Sequence, residues 1–180
     1  MDVVDELFDR DFQRVLIHMG EIAIGGYVPG AIGRITELHG TYYEKYWGFG
    51  LFFESKVATE MCDFLHRFDI EQDGFWVALI NGKIVGGIAI DGVHADGKGA
   101  HLRWFIVDPD HHGTGIGSML ISRAVTFCKE KKYEQIYLWT FAGLDAARHL
   151  YETHGFRISR ELKGDQWGVT VTEQMFELHF

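Results

Sequence analysis

The densest run of chemically competent residues is Asp108-Pro-Asp-His-His-Gly-Thr-Gly-Ile-Gly-Ser118, with Gly113, Gly115 and Gly117 at every second position. Without a Cβ, such glycines let an anion come close to the backbone. An apolar run from Leu102 to Val107 precedes them and reads as a strand stopped by Asp108-Pro109. After them Ile116, Leu120, Ala124, Phe127 and Cys128 keep one apolar stripe at helical spacing. Strand, glycine turn, helix start: the first amides of that helix lack internal partners and carry the positive end of its dipole, an arrangement suited to phosphate. His94, His101, His111 and His112 stand nearby, but their spacing matches no zinc pattern and no cysteine joins them, so no metal is expected.

The glycine spacing narrows the ligand. The dinucleotide fingerprint G-x-G-x-x-G would need its third glycine one residue later. A P-loop needs a lysine after its last glycine, and none follows Gly117. The near-match from Gly92 to Lys98 ends in Gly99 and leads into a strand, not a helix. A turn that only joins strand to helix fits the same residues.

The elements around this turn follow in order. Residues 1–20 are acidic, with Val4, Leu7, Phe8, Phe12 and Val15 spaced as an amphipathic helix or a loosely held arm. A strand is expected from Glu21 to Val28, broken at Pro29-Gly30. One helix runs through Ile32, Ile35, Leu38 and Tyr42, a second through Phe53, Val57, Met61, Phe64, Leu65 and Phe68, with an aromatic, glycine-broken stretch between. Phe75 to Ile80 and Ile84 to Ile90 read as strands joined by Asn81-Gly82, a hairpin signal. The loop from Asp91 to Gly99 carries three glycines and is expected to be mobile. Gln135 to Thr140 is a strand, and Leu144, Ala147, Leu150 and Tyr151 form a short helix ended by Gly155. Phe156 to Leu162 and Val169 to Phe180 close the chain as strands. In the last, apolar residues shift from odd positions (Val169, Val171) to even ones (Phe176, Leu178, Phe180), which predicts a bulge between them.

Composition bounds the function. The 180 residues fit one domain over 21–180 with a short extension over 1–20, and 47% hydrophobic content supplies a sizeable core. A net charge of −9 argues against a nucleic-acid partner and favours a cationic small molecule. Cys62 and Cys128 fall inside helical patterns and make no disulfide framework. No signal peptide and no apolar run near the ~18 residues of a membrane span are present, so a cytoplasmic location is the expectation.

Two motifs together carry a family resemblance. His112-Gly-Thr-Gly-Ile-Gly117 resembles the acyl-CoA loop [Q/R]-x-x-G-x-[G/A] of the GNAT N-acetyltransferases, with His112 where the family usually has Gln or Arg. Ala147-Arg-His-Leu-Tyr151-Glu-Thr-His-Gly155-Phe156 resembles the family's A-x-x-[F/L]-Y-x-x-x-G-F segment. The element order β-α-α-β-β-β-α-β-α-β-β is also that of the family, which implies an α/β (α+β) fold: a mixed central sheet of seven strands with helices on both faces. Glu37-Leu-His39-Gly-x-Tyr42, Phe53-Glu54, Leu138-Trp-Thr140, Gln166-Trp-Gly168 and Glu173-Gln174 further resemble the acetyltransferase half of MarR–GNAT fusion proteins. Residues 1–20 are too short and too acidic to be a winged helix.

The resemblance implies an acetyl-CoA-dependent transfer to an amine by direct attack in a ternary complex. His112, Gly113, Thr114, Gly115, Ile116, Gly117 and Ser118 would hold the pyrophosphate. Phe105, Ile106 and Val107 would meet the pantetheine arm, one N–H polarising the thioester carbonyl. Leu144 and Ala147 belong to the cofactor side, Leu144 standing where the family often has Asn. Tyr151 would be the general acid, since a phenol of pKa ~10 stays protonated at neutral pH and can donate to a thiolate whose thiol has pKa ~8.5. His101, near where relatives place a catalytic glutamate, is a candidate base with an ordinary pKa ~6.5. Glu54 is a second candidate, as base or as counter-charge to the amine. Tyr42, Tyr43, Trp47, Trp104 and Trp167 are candidates for the acceptor pocket, although core packing accounts equally well for any single aromatic. A CoA-binding sensor with little catalysis is the alternative, and exposed sheet edges allow a homodimer.

Overall fold

The computed structural model describes residues 22–180; the amphipathic segment expected over residues 1–20 and Glu21 lie outside the described residues. The order is β1 (Ile22–Gly25), α1 (Ala31–Trp47), α2 (Leu51–His66), β2 (Gly74–Ile80), β3 (Lys83–Asp91), β4 (Ala100–Val107), α3 (Ile116–Glu130), β5 (Gln135–Phe141), α4 (Asp145–Thr153), β6 (Arg157–Gly164) and β7 (Val171–His179). The seven strands form one sheet in the order β1-β2-β3-β4-β5-β7-β6. The expected α/β class, element order and mixed sheet are what the fold contains.

Each face of the sheet has its own core. On one, α3 lays Ile116, Leu120, Ile121, Ala124, Phe127 and Cys128 against Val85, Ile88, Ile90 and Ile136. On the other, Ile35 and Leu38 of α1 and Phe53, Val57, Met61 and Phe64 of α2 pack on Phe75, Val77 and Ala89. The stripe read for α3 is buried throughout. Helix α1 runs further than its apolar spacing predicted: it continues through the aromatic stretch to Trp47 and stops at Gly48, whose φ of 69° ends the helix. The Asn81-Gly82 hairpin forms with both residues at positive φ, 50° and 75°.

Two departures have physical causes. No bulge interrupts β7, which pairs with β5 in unbroken register from Phe141↔Glu173 to Gln135↔His179. Its apolar residues change parity because the strand serves both cores: Val171 packs with the α1–α2 face, whereas Phe176 and Leu178 pack with the α3 face. The irregularity lies instead in β6, between Ile158 and Arg160. The Asp91–Gly99 loop, expected to be mobile, contains a helical turn, Ala95–Lys98, and is tied down at its start. There Gly92 N–H donates to Asp73 Oδ1 at 2.8 Å, while Asp69 N–H donates to Asp73 Oδ2 at 3.0 Å.

Asp73 is 1% exposed, and removing its carboxylate would strand both amides. The substitution Asp73→Ala is therefore expected to cost about 2–3 kcal/mol. Urea unfolding checks this as a lowered midpoint at constant slope; an unchanged midpoint would show the cap to be dispensable.

The feature that positions the site is the seam between β4 and β5. They run parallel yet pair only at Ala100↔Ile136 and His101↔Tyr137, then diverge. Along the rest of β4, groups directed toward β5 have no strand partner. A bulge adds to this: Trp104 and Phe105 lie opposite Ile88 alone, between Gly87↔Ile106 and Ala89↔Arg103. Trp104 takes φ 46°, a left-handed conformation that costs a bulky residue on the order of 1–3 kcal/mol. The bulge reverses the pleat, so Ala100 and Leu102 face the α3 core while Trp104 and Ile106 face the α1–α2 core. Among the described residues the sheet ends on β1, which has four residues, and on β6, which exposes Arg157, Arg160 and Glu161.

Candidate active site

Below the β4–β5 seam the glycine turn has the geometry expected of an anion cradle. Gly113 and Gly115 adopt φ of 76° and 88°. The first backbone bond of α3 runs from Met119 N–H to Gly115 O, leaving the amides ahead of it for a ligand. Three contacts brace the turn. Arg34 Nη2 donates to Asp108 Oδ2 at 2.5 Å, and Thr114 Oγ1 donates to the His111 carbonyl at 2.7 Å. His112 Nε2 lies 3.0 Å from the Val107 carbonyl; a carbonyl only accepts, so this nitrogen carries the hydrogen. The ring at the position of the family's Gln or Arg thus ties the turn to the end of β4.

A cavity of about 590 Å³ opens beside this turn, bounded by Phe105, Ile106 and Val107 on β4 and by Leu144, Ala147 and Tyr151 at α4. It is lined by all the expected loop residues except Thr114, whose hydroxyl is turned back onto the loop. Leu144 is buried there at 8% exposure and presents an alkyl surface where an amide side chain was the family pattern. Gly117 keeps α3 close to its neighbours: a Cβ there would lie 2.9 Å from the end of the Leu150 side chain and 3.4 Å from the Phe105 ring.

A second cavity of about 320 Å³ lies on the other side, between α1, α2 and the splayed strands. It is lined by His39, Lys56, Glu60, His101, Arg103, Trp104 and Trp167, among others. The two cavities share only Tyr43, Phe105 and Tyr151. Tyr151 is 6% exposed, packed against Phe105, Phe156 and Phe176 at ring distances of 6.0, 6.1 and 5.6 Å. Burial first, and Tyr43 second, raise its phenol above the ordinary tyrosine range, so it is protonated at any physiological pH.

The other expected residues sort by position. Tyr43, Trp104 and Trp167 line the smaller cavity, as expected of an acceptor pocket. Tyr42 does not: it lines the larger cavity together with Trp47, edge-on to His112 at 6.1 Å. Glu54 lines neither cavity; it is exposed and its carboxyl packs on Gly40 of α1, which removes the reason for reading it as base or counter-charge. His101 lines the smaller cavity, stacked on Tyr137 at 4.4 Å. Its basicity is not the ordinary one: burial, then the neighbouring Arg103 cation, depress its pKa to about 3, against a smaller opposing effect of Asp91. So weak a base is a poor carrier of a proton near neutrality, contrary to the expectation from pKa ~6.5.

Two histidines were given no role by the sequence reading. His154 Nε2 lies 3.1 Å from Ser118 Oγ, and its Nδ1 donates to the Leu150 carbonyl, so the expected cofactor-side serine is tied to α4. His39 is buried at 6% exposure in the smaller cavity. Its signal was a polar ring on the otherwise apolar face of α1. Among the described residues no group of His, Cys, Asp and Glu is arranged to hold a metal ion.

Comparison with known proteins agrees with this architecture. The family model described as the acetyltransferase (GNAT) family matches residues 33–156. An N-acetyltransferase of Methanocaldococcus jannaschii is 30% identical over 127 residues, 68% of this chain and 56% of that protein. The N-acetylaspartate synthetase of Xenopus tropicalis is 36% identical over 106 residues, 58% of this chain and 38% of that protein. The chain thus spans about half or less of these relatives' length. A ribosomal-protein-alanine N-acetyltransferase from Brucella melitensis superposes with a TM-score of 0.70 at 17% identity, covering 88% of this chain and 99% of that one. A Salmonella typhimurium structure solved with its cofactor acetyl-CoA superposes at 0.68 with 15% identity, covering 88% and 94%. A glycine cradle at the foot of a parted β4–β5 seam and a family match across most of the described chain lead to one conclusion: the protein belongs to the GNAT acetyltransferase family.

Proposed function

We propose that the chain transfers the acetyl group of acetyl-CoA to a primary amine by direct attack, with both substrates bound at once. One observation carries this reading: two cavities with otherwise separate linings meet at Tyr43, Phe105 and Tyr151. The larger suits the coenzyme. The free amides of residues 113–118 would take its diphosphate, and the unpaired edge of β4 its pantetheine arm. The smaller suits the amine. Acetyl-CoA supplies an activated acyl group on a thiol leaving group; the chain supplies alignment, amide dipoles at the carbonyl and a phenol proton for sulfur.

The acceptor reading moves with the lining. Net charge favours encounter with a cationic amine, but the smaller cavity's charged lining is Lys56, Arg103 and Glu60, two cations and one anion joined as ion pairs. That lining, and the relative named for N-acetylaspartate, support an amine that also carries a carboxylate. The narrower likeness to the acetyltransferase half of MarR–GNAT proteins rests on segments such as Glu37–Tyr42. It does not extend to DNA binding, given the acidic balance.

The test is CoA-thiol release from acetyl-CoA with aspartate, alanine, spermidine, benzylamine and an alanyl peptide, beside calorimetric titration of acetyl-CoA. Release with aspartate at a kcat/KM at least tenfold above spermidine is expected. Tight acetyl-CoA binding with no release by any amine would favour the sensor reading, which Leu144 and the lack of an established general base motivate.

A further inference from the structure

The smaller cavity holds a group that the family motifs do not account for. His39, on α1, has Nδ1 2.9 Å from the Ile35 carbonyl. Since that oxygen only accepts, Nδ1 bears the hydrogen, and in the neutral ring Nε2 is left as a bare lone pair. No described residue donates to it. Nor is it sealed in the interior: the fully enclosed side-chain polar atoms without a partner are Thr36 Oγ1 and His111 Nδ1. The ring stands 6.0 Å from Tyr43 and 6.4 Å from Phe53. Tyr43 is also part of the wall that separates the cavities, so this lone pair lies one aromatic ring from the place where acyl group and amine must meet.

A mostly buried acceptor without a partner costs on the order of 1–3 kcal/mol. Placing that group where a substrate enters converts the cost into selectivity, because a ligand that donates there recovers it. From this geometry we infer that His39 Nε2 accepts the N–H hydrogen bond of the attacking amine and so orients it, as a positioning residue. This rests on the transferase reading above. It selects an amine that retains an N–H while its lone pair points at the thioester, as a neutral primary amine does. The balance is complete: the N–C bond forms and the C–S bond breaks, the amine proton leaves to solvent water, and Tyr151 gives its proton to the sulfur. Solvent then returns a proton to the phenolate. Burial keeps the His39 ring uncharged, with its pKa lowered to about 4, so the lone pair is available at neutral pH. Neither His101, made a poorer acceptor by burial and then by the neighbouring Arg103 cation, nor Glu60, bonded to Lys56 and Arg103, offers an equally free acceptor.

His39→Phe keeps the ring's packing and deletes the lone pair; His39→Ala leaves room for a diffusible replacement. Both are assayed with the best amine of the panel above. Turnover is expected to fall at least 30-fold in each while acetyl-CoA affinity stays within twofold. Imidazole at tens of millimolar should restore His39→Ala at least fivefold and leave His39→Phe unchanged. Wild-type turnover in His39→Phe would overturn the assignment while leaving the transferase reading intact. Loss of acetyl-CoA affinity in step with turnover, without imidazole rescue, would reduce His39 to a structural residue. Absence of CoA release by the wild type with every amine tested would overturn the transferase reading itself, and this inference with it.

Discussion

The variant Tyr151→Phe is expected to lose about 100-fold in kcat and to bind acetyl-CoA as the wild type does. The phenol makes no hydrogen bond to a described residue, so its removal leaves no partner stranded and the ring stack with Phe105, Phe156 and Phe176 survives. What is lost is the proton for the departing sulfur, and a positioned general acid is worth typically 10²–10⁴ in rate. The raised acidity constant does not argue against the role. The burial that pushes the phenol up also raises the thiol leaving from the same desolvated wall, which keeps donor and acceptor matched. Stopped-flow release of CoA thiol, read beside a calorimetric acetyl-CoA titration and the melting temperature, checks the result. Turnover within twofold of wild type would remove Tyr151 from the chemistry; a parallel fall in melting temperature would assign it to packing.

The parts legible in the sequence were those fixed by short-range physics. The glycine turn and α3 announced themselves because a phosphate cradle needs Gly113 and Gly115 at positive φ and a helix immediately behind them. Asn81-Gly82 announced its hairpin for a similar reason. The seam between β4 and β5 could not be read, because it is a matter of how far two distant strands pair, and nothing in Leu102–Val107 marks the residue where pairing stops. The bulge at Trp104 was hidden too: tryptophan is a poor choice for φ 46°, and nothing in the residue's type marks it for that conformation. Parity arguments failed on β7 since they assume one apolar face, whereas this sheet has two. Tyr42 and Tyr43 are adjacent on α1, yet Tyr42 lines the larger cavity alone whereas Tyr43 lines both, a division that aromatic composition cannot express. Glu54 and Glu60 both lie on α2, and only Glu60 lines the smaller cavity, a difference of helix bearing that residue type does not reveal. His39 was quoted only as part of a motif, though a histidine in line with Ile35 and Tyr42 on a buried helix face is itself the signal for a held imidazole.

That same imidazole gives the fold a defined acid limit. His39 and His101 are both kept neutral by burial, at pKa values of about 4 and about 3, against about 6.5 in the unfolded chain. Below pH 6.5 the unfolded chain takes up two protons that the folded one refuses. Stability is therefore full above pH 6.5 and falls as pH drops toward 4, by up to about 1.4 kcal/mol per pH unit for each ring. By pH 5 the pair should cost about 3–4 kcal/mol, a large part of the margin of a typical domain. Asp91, held below its ordinary range by Arg67 and Arg103 against its own burial, adds its loss only beneath about pH 4. Asp73, raised by burial, acts with the opposite sign. The window from pH 6.5 to 5 thus isolates the histidines. Urea unfolding at pH 7.0, 6.0 and 5.0 should give a wild-type loss near that size, with His39→Gln and His101→Gln each removing about half of the slope. An unfolding free energy that stays level from pH 7 to 5 in the wild type would mean that both rings charge without hindrance in the folded state, and that neither is held as the geometry requires.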